Sequence, residues 1–89
     1  MWKLTENKIE ETGKLYRSHD FNEEVFNGQP STKFRLLDDD KEVYFVGLIL
    51  DSALNGCEEE AFAPLDSPLG TGFGCTEMQY RKDGKWETL

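Results

Sequence analysis

The sequence has few of the residues on which catalytic and metal sites are usually built. It contains one histidine, His19, and two cysteines, Cys57 and Cys75, none of them close to another in sequence. Structural zinc sites take paired ligands from short motifs, and general-base or triad chemistry usually needs a histidine held by a partner. His19 lies beside Asp20. We interpret the two as neighbouring polar residues of a surface turn. We therefore expect no enzyme activity, no metal and no cofactor.

Long apolar runs are also missing. No stretch approaches the ~20 residues that cross a bilayer, and residues 1–6 lack the apolar core of a signal peptide. These absences predict a cytoplasmic protein that does not enter membranes, with both cysteines reduced. In an exported protein, Cys57 and Cys75 would instead be able to form a disulfide.

The third shortage is of positive charge. The chain has 10 lysines and arginines against 18 acidic residues, a formal net charge of −8, and most of the imbalance lies in residues 38–60. Without a basic stripe to neutralise phosphates, direct binding to nucleic acid is disfavoured. A basic protein surface, or a cation, is the partner that the charge favours, although the identity of a protein partner and the oligomeric state stay open.

Alternation of apolar and polar residues is the main structural signal. With 89 residues, 37% of them hydrophobic and 12% aromatic, the chain predicts a single domain over residues 1–89. Residues 1–20 predict two short strands around a turn near 11–13, with a helix over 5–12 as the alternative. Asp20 or Asn22 would cap one helical turn at 22–26, which Gly28 and Pro30 would end.

Residues 32–50 give the clearest strands. Thr32, Phe34 and Leu36 alternate with basic residues, as in a half-buried strand. Residues 43–50 are apolar on both sides, which predicts the central strand of the sheet. Gly47 within it indicates a bulge or a close contact with another element.

Residues 75–89 predict a hairpin that turns at Lys82–Lys85. A two-residue turn would pair Arg81 with Trp86, whereas a three-residue loop would pair Tyr80 with Trp86. Only the second register places Trp86 on the same face as Met78. Because register follows the hydrophobic face, we predict the three-residue loop.

Residues 51–74 predict a long irregular connection. A short helix at 58–62 would stop at Pro64, and the prolines and glycines of 64–74 argue against regular structure beyond it. The glycines of 70–74 lack the lysine and the helix of a phosphate loop, and we interpret them as allowing a tight crossing. The run Asp38–Asp40 lacks the alternating acids of a calcium loop. The connection 51–74 is long for a structured loop, and loops of this kind often carry binding residues.

The fold class predicted from these segments is α+β, mainly antiparallel β. The expected architecture is a small twisted sheet of five to six short strands with one or two short helical turns.

A non-catalytic protein-interaction domain is the functional hypothesis that follows. The predicted contact residues are the loop 62–74 and the two acidic clusters, that is Asp38, Asp39, Asp40, Glu42, Glu58, Glu59, Glu60, Leu69 and Phe73. The alternative is an acidic decoy of a nucleic-acid-binding protein, of the kind carried by phages and mobile elements. Strand 43–50 would separate the two clusters by about 25 Å at roughly 3.3 Å per residue, which favours two patches over one strip.

Several short motifs carry a resemblance. They are Phe34-Arg35-Leu36-Leu37-Asp38-Asp39-Asp40, Tyr44, Phe62-Ala63-Pro64-Leu65-Asp66, Gly74-Cys75-Thr76-Glu77-Met78-Gln79-Tyr80 and Gly84-Lys85-Trp86-Glu87. On these motifs, residues 34–89 resemble a group of short uncharacterised bacterial proteins. The group has no assigned activity, so the resemblance implies no site. Lys41 stands where the resemblance implies glycine, which leaves the turn type open.

Overall fold

A five-stranded antiparallel sheet forms the centre of the protein. The computed structural model describes residues 1–10 and 13–89. The strands are β1 (Trp2–Asn7), β2 (Ser31–Leu37), β3 (Val43–Leu50), β4 (Glu77–Lys82) and β5 (Lys85–Thr88), in the order β1-β3-β2-β4-β5. The predicted α+β class and strand number are confirmed. Residues 43–50 form an interior strand as predicted, although the middle position belongs to β2.

Short helices are more numerous than the sequence predicts. They are α1 (Glu23–Asn27), α2 (Asp51–Leu54), α3 (Glu58–Ala61), α4 (Ala63–Asp66) and α5 (Pro68–Gly72). The prediction that residues 64–74 lack regular structure is wrong. Pro64 and Pro68 lie in the first turns of α4 and α5, where the missing N–H would have no helical partner. None of these helices has the length and apolarity needed to cross a membrane.

The N-terminal segment is a strand followed by a single bridge. β1 confirms the first predicted strand and replaces the alternative helix at residues 5–7. The second predicted strand is reduced to an antiparallel bridge between Arg17 and Lys3. Of the predicted turn near 11–13, residues 11 and 12 lie outside the described residues. The predicted helical turn at 22–26 is confirmed as α1, because the Asn22 side chain accepts a hydrogen bond from the Val25 N–H at 3.2 Å.

One face of the sheet holds the core. Strand register places Trp2 opposite Ile49, Leu36 opposite Phe45 and Leu36 opposite Met78. The side chains buried on this face are Trp2, Leu4, Phe34, Leu36, Phe45, Ile49 and Met78. Gly47 lies opposite Phe34, and a Cβ there would meet the Phe34 ring at 2.8 Å. The predicted close contact at this glycine is thus confirmed, since only a residue without a side chain leaves room for the ring.

The hairpin forms as predicted, but its predicted register is wrong. Arg81 pairs with Trp86 and Tyr80 pairs with Glu87. The turn residues Asp83 and Gly84 have φ values of 51° and 79°, the left-handed pair of a two-residue type I′ turn. This turn sends Trp86 to the face opposite Tyr80 and Met78. There it contacts cations: the guanidinium carbons of Arg35 and Arg81 lie 4.2 and 5.3 Å from its ring centre.

A polar network continues across this second face. The carboxylate of Glu77 accepts hydrogen bonds from Lys41, from the amide of Gln79 at 2.6 Å and from the hydroxyl of Thr88 at 2.9 Å. Gln79 in turn accepts from the Nε of Arg35 at 2.7 Å. The Lys41 ammonium and these two other donors lower the pKa of Glu77 from 4.5 to about 2. The carboxylate therefore ties the β2–β3 turn to the hairpin in its ionised form.

This network predicts an acid-dependent loss of stability. Because the pKa of Glu77 is lower in the folded chain, its stabilising effect is present above pH 4.5 and is lost as the pH falls toward 2. In Glu77→Gln this titration is removed. The difference in unfolding free energy between the native chain and the variant should be constant near neutral pH and shrink across that window. Urea unfolding at a series of pH values measures it, and a difference that does not change with pH would contradict the prediction.

Candidate functional site

A groove of about 1110 Å³ runs between the N-terminal third of the chain and helices α2–α5. Its first wall comes from residues 16–29, and its second from residues 51–73. The side chains that line it include Trp2, Tyr16, Arg17, His19, Asp20, Val25, Glu59, Glu60, Ala63, Asp66, Leu69 and Phe73. The groove is partly open to solvent, and apolar groups make up most of its surface.

The first wall is held by main-chain bonds to β1. The Leu4 N–H donates to the Tyr16 carbonyl at 2.8 Å, and the Ser18 N–H donates to the Trp2 carbonyl at 2.9 Å. The Ser18 hydroxyl accepts from the Trp2 N–H at 3.1 Å. The chain then enters α1 through its Asn22 cap, which directs Val25 toward the groove. Side-chain caps of this kind fix where a short helix begins.

The second wall is held by close backbone packing. The Thr32 hydroxyl donates to Asp51 at the start of α2, which anchors this wall to β2. A Cβ on Gly70 would lie 2.1 Å from the backbone oxygen of Leu65, so α5 crosses α4 more closely than a side chain at position 70 would permit. The predicted tight crossing is confirmed at this glycine. It places Leu69 in the core and Phe73 at the groove.

Two large apolar side chains in the groove remain exposed. Val25 is 42% exposed on the first wall, and Phe73 is 37% exposed on the second. The inner edge of the Phe73 ring contacts Phe45, with ring centres 5.5 Å apart. Buried Trp2 and Leu69 also line the groove and add to its apolar surface. An apolar patch held open by ordered walls is typical of a binding surface.

Acidic side chains border the apolar surface. Asp20 stands on the first wall, and Glu59, Glu60 and Asp66 stand on the second. Within residues 1–10 and 13–89, these three second-wall acids have no lysine or arginine nitrogen within 4.0 Å. The Ser18 hydroxyl lowers the pKa of Asp20 below its ordinary value, so this carboxylate is ionised at neutral pH. The basic groups among the described lining residues are Arg17, His19 and the N-terminal ammonium of Met1, which lies 3.8 Å from Asp20. The four carboxylates outnumber them, and the groove is therefore locally negative.

The predicted contact residues divide between two places. Glu59, Glu60, Leu69 and Phe73 all line the groove, while Glu58 lies beside them on α3. The others, Asp38, Asp39, Asp40 and Glu42, lie in the β2–β3 turn. β3 runs from that turn to α2, so the two acidic clusters flank opposite ends of this strand.

Asp38 stabilises the β2–β3 turn by local hydrogen bonds. Asp38 accepts hydrogen bonds from the N–H groups of Asp40 and Glu42, both at 2.9 Å. The Glu42 N–H is the main cause of the lowered pKa of Asp38. Lys41 adopts φ of 66°, in the left-handed region that glycine enters most readily. The turn is therefore of a type that favours glycine at position 41, where this chain has lysine.

The histidine and the cysteines do not come together. Cys57 is exposed, Cys75 is buried, and both are free thiols. Burial raises the pKa of Cys75 to about 11, which makes it a poor nucleophile at neutral pH. His19 lines the groove, but the lining includes neither cysteine. The described residues contain no group of three or more potential metal ligands.

Sequence reasoning missed the first wall of the groove. Tyr16 and Val25 face residues about 40 positions away along the chain only after β1 and α1 dock. One local signal was available. Val25 lies in a helix of five residues whose single buried position is Phe26, so the second apolar side chain of that helix is left for solvent or for a partner.

Comparisons with known proteins supply no relative for this chain. No protein-family model matches it, and neither a curated protein nor a solved structure matches it.

Proposed function

We propose that the protein is a non-catalytic interaction domain whose groove binds a basic amphipathic segment of another protein. The observation that carries the proposal is the exposure of Val25 and Phe73 inside a groove bordered by acidic side chains. An apolar surface between them would be removed from water by the apolar side of the segment. Its lysines or arginines would lie against Glu59, Glu60 and Asp66.

The apolar lining and the acidic border of the groove favour an amphipathic helical segment. Amphipathic helices bind by placing their apolar face in a hydrophobic groove, and the charges beside that face select the partner. Charges act over about 8 Å at physiological ionic strength, so the acids bordering the groove matter more than the net charge of the chain. We place the protein in the cytoplasm as part of the proposal, because both thiols are free and a reducing compartment keeps them so.

Mimicry of nucleic acid is the weaker candidate. A decoy presents its carboxylates as one strip along the groove of a DNA-binding protein. In this fold the β2–β3 turn and α3 flank opposite ends of β3, and Asp38 is engaged by its own turn. The acids at the groove lie beside an apolar surface. A protein segment can cover that surface, so the groove favours a protein partner over a nucleic-acid-binding site.

Binding of a basic amphipathic helical peptide built from leucine and lysine tests the proposal. The double variant Glu59→Gln/Glu60→Gln should weaken binding by about twofold to thirtyfold, because each exposed charge pair contributes roughly 0.2–1 kcal/mol. Isothermal titration calorimetry at low and moderate salt measures the dissociation constant. The native affinity should fall as salt rises.

A matched control removes the same amount of charge elsewhere. Asp39→Asn/Asp40→Asn takes two exposed carboxylates from the β2–β3 turn and should leave the dissociation constant nearly unchanged. Equal weakening by both double variants would show that the peptide responds to net charge alone, and the groove proposal would then fail.

A further inference from the structure

The face of the sheet opposite the core carries two arginines that form no salt bridge with a described residue. Arg35 on β2 and Arg81 on β4 both stack against Trp86 on β5, at 4.2 and 5.3 Å from its ring centre. Neither guanidinium lies within 4.0 Å of a carboxylate in the described part of the chain. Lys33 lies on the same side of β2 as Arg35, two residues away.

The carboxylate of Glu77 on this face already accepts three hydrogen bonds. Glu77 accepts from Lys41, Gln79 and Thr88, so it does not pair with Arg35. Gln79 holds Arg35 only through Nε, and no hydrogen bond to a described residue engages the terminal nitrogens. The two terminal nitrogens of a guanidinium form the fork that binds a carboxylate in bidentate fashion. The network therefore orients Arg35 and leaves its binding edge open.

The two guanidiniums also act on each other. Partial burial lowers the pKa of Arg35, and the nearby charge of Arg81 lowers it further. Two like charges held against one ring repel unless an anion lies between them or beside them. Stacking on Trp86 and the charge of the Glu77 carboxylate, which raises the pKa of Arg35, offset part of that repulsion. A bound anion would offset more of it.

We propose that this face binds an acidic segment of a protein, with carboxylates held by Arg35 and Arg81 beside Trp86. The site is separate from the groove, and it would give the domain a second contact of opposite charge. An acidic peptide fits better than a nucleic acid, because the guanidiniums already cover the Trp86 ring on which a base would stack.

An acetylated and amidated oligoglutamate peptide is the probe. In two-dimensional ¹H–¹⁵N spectra of the full chain, it should shift the indole N–H of Trp86 and the Nε–H signals of both arginines. Arg81→Gln should lower its affinity about tenfold, the loss expected when one charge-assisted hydrogen bond is removed at an exposed position. Arg81 is exposed, so this variant is expected to fold.

Lys82→Gln is the matched control, because it removes one charge from the next residue of β4, on the opposite face of the strand. It should leave the affinity for oligoglutamate unchanged. Equal weakening by both variants would overturn the proposal, as would an absence of shifts at Trp86. Two further results would also overturn it: tighter binding of an oligothymidylate, or equal shifts from inorganic phosphate at the same concentration. Glu59→Gln/Glu60→Gln leaves this site intact, so the two proposals fail separately.

Discussion

Phe34→Ala is expected to destabilise the fold by about 3–5 kcal/mol, the usual cost of removing a fully buried phenylalanine. Phe34 is 0% exposed and lies in β2, the middle strand of the sheet. Its ring meets Trp2 edge to face, with ring centres 6.3 Å apart, and lies over Gly47. Because a glycine stands beneath the ring, no neighbouring side chain at that position can fill the space that alanine would leave. Urea unfolding followed by circular dichroism measures the free-energy change.

Phe73→Ala makes the same truncation at a partly exposed position. Phe73 keeps one ring contact, with Phe45, and its other side faces the groove. We expect a loss of less than about 1.5 kcal/mol, because most of the transfer and cavity cost is absent at the surface. Similar losses in the two variants would mean that Phe34 is not the centre of the core.

Gly70→Ala is expected to destabilise the second wall of the groove. The added methyl would lie 2.1 Å from the backbone oxygen of Leu65, so α4 and α5 must move apart. Overpacking of this kind costs about 1–3 kcal/mol, and it would shift Leu69 and Phe73. The variant should therefore lose both stability and affinity for the basic peptide, by urea unfolding and calorimetry respectively.

Gly72→Ala tests the same substitution two residues later. Position 72 lies in α5 with nothing within 4 Å of an added Cβ. Alanine there should be neutral or stabilise the fold by about 0.4–1 kcal/mol, because it restricts the unfolded chain. If Gly70→Ala is as well tolerated as Gly72→Ala, the crossing of α4 and α5 is looser than described.

The strands were predictable because their signals are local. Alternation marks β2, a continuous apolar run marks β3, and turn residues mark the hairpin. Asn22 likewise predicts the start of α1, because its side chain accepts a hydrogen bond from the N–H of Val25, three residues later. In each case the residues that decide the structure are neighbours in sequence.

The errors arose where distant residues decide. The hydrophobic pattern predicts Trp86 on the core face, but its partners, Arg35 on β2 and Arg81 on β4, are charged and lie on other strands. Cation–π stacking let the type I′ turn set the register against the hydrophobic pattern. The same distance in sequence hid the cationic face, since Arg35 and Arg81 become neighbours only through pairing of β2 with β4.

The candidate site was predictable only in part. Leu69, Phe73, Glu59 and Glu60 were predicted from the long connection and the acidic cluster, and all four line the groove. The first wall depends on how residues 16–18 pair with β1, which no pattern in the sequence specifies. Pro64 and Pro68 were interpreted as breaks, although each occupies the first turn of a helix.

Two-dimensional ¹H–¹⁵N spectroscopy of the chain with the basic peptide bound shows whether the groove is the binding site. The largest shifts are expected at Val25, Leu69 and Phe73 and at the indole N–H of Trp2, because all four residues line the groove. The indole N–H of Trp86, on the opposite face, should stay in place and serve as an internal control. Shifts centred on residues 38–42, or no saturable shifts in the groove, would contradict the proposed function.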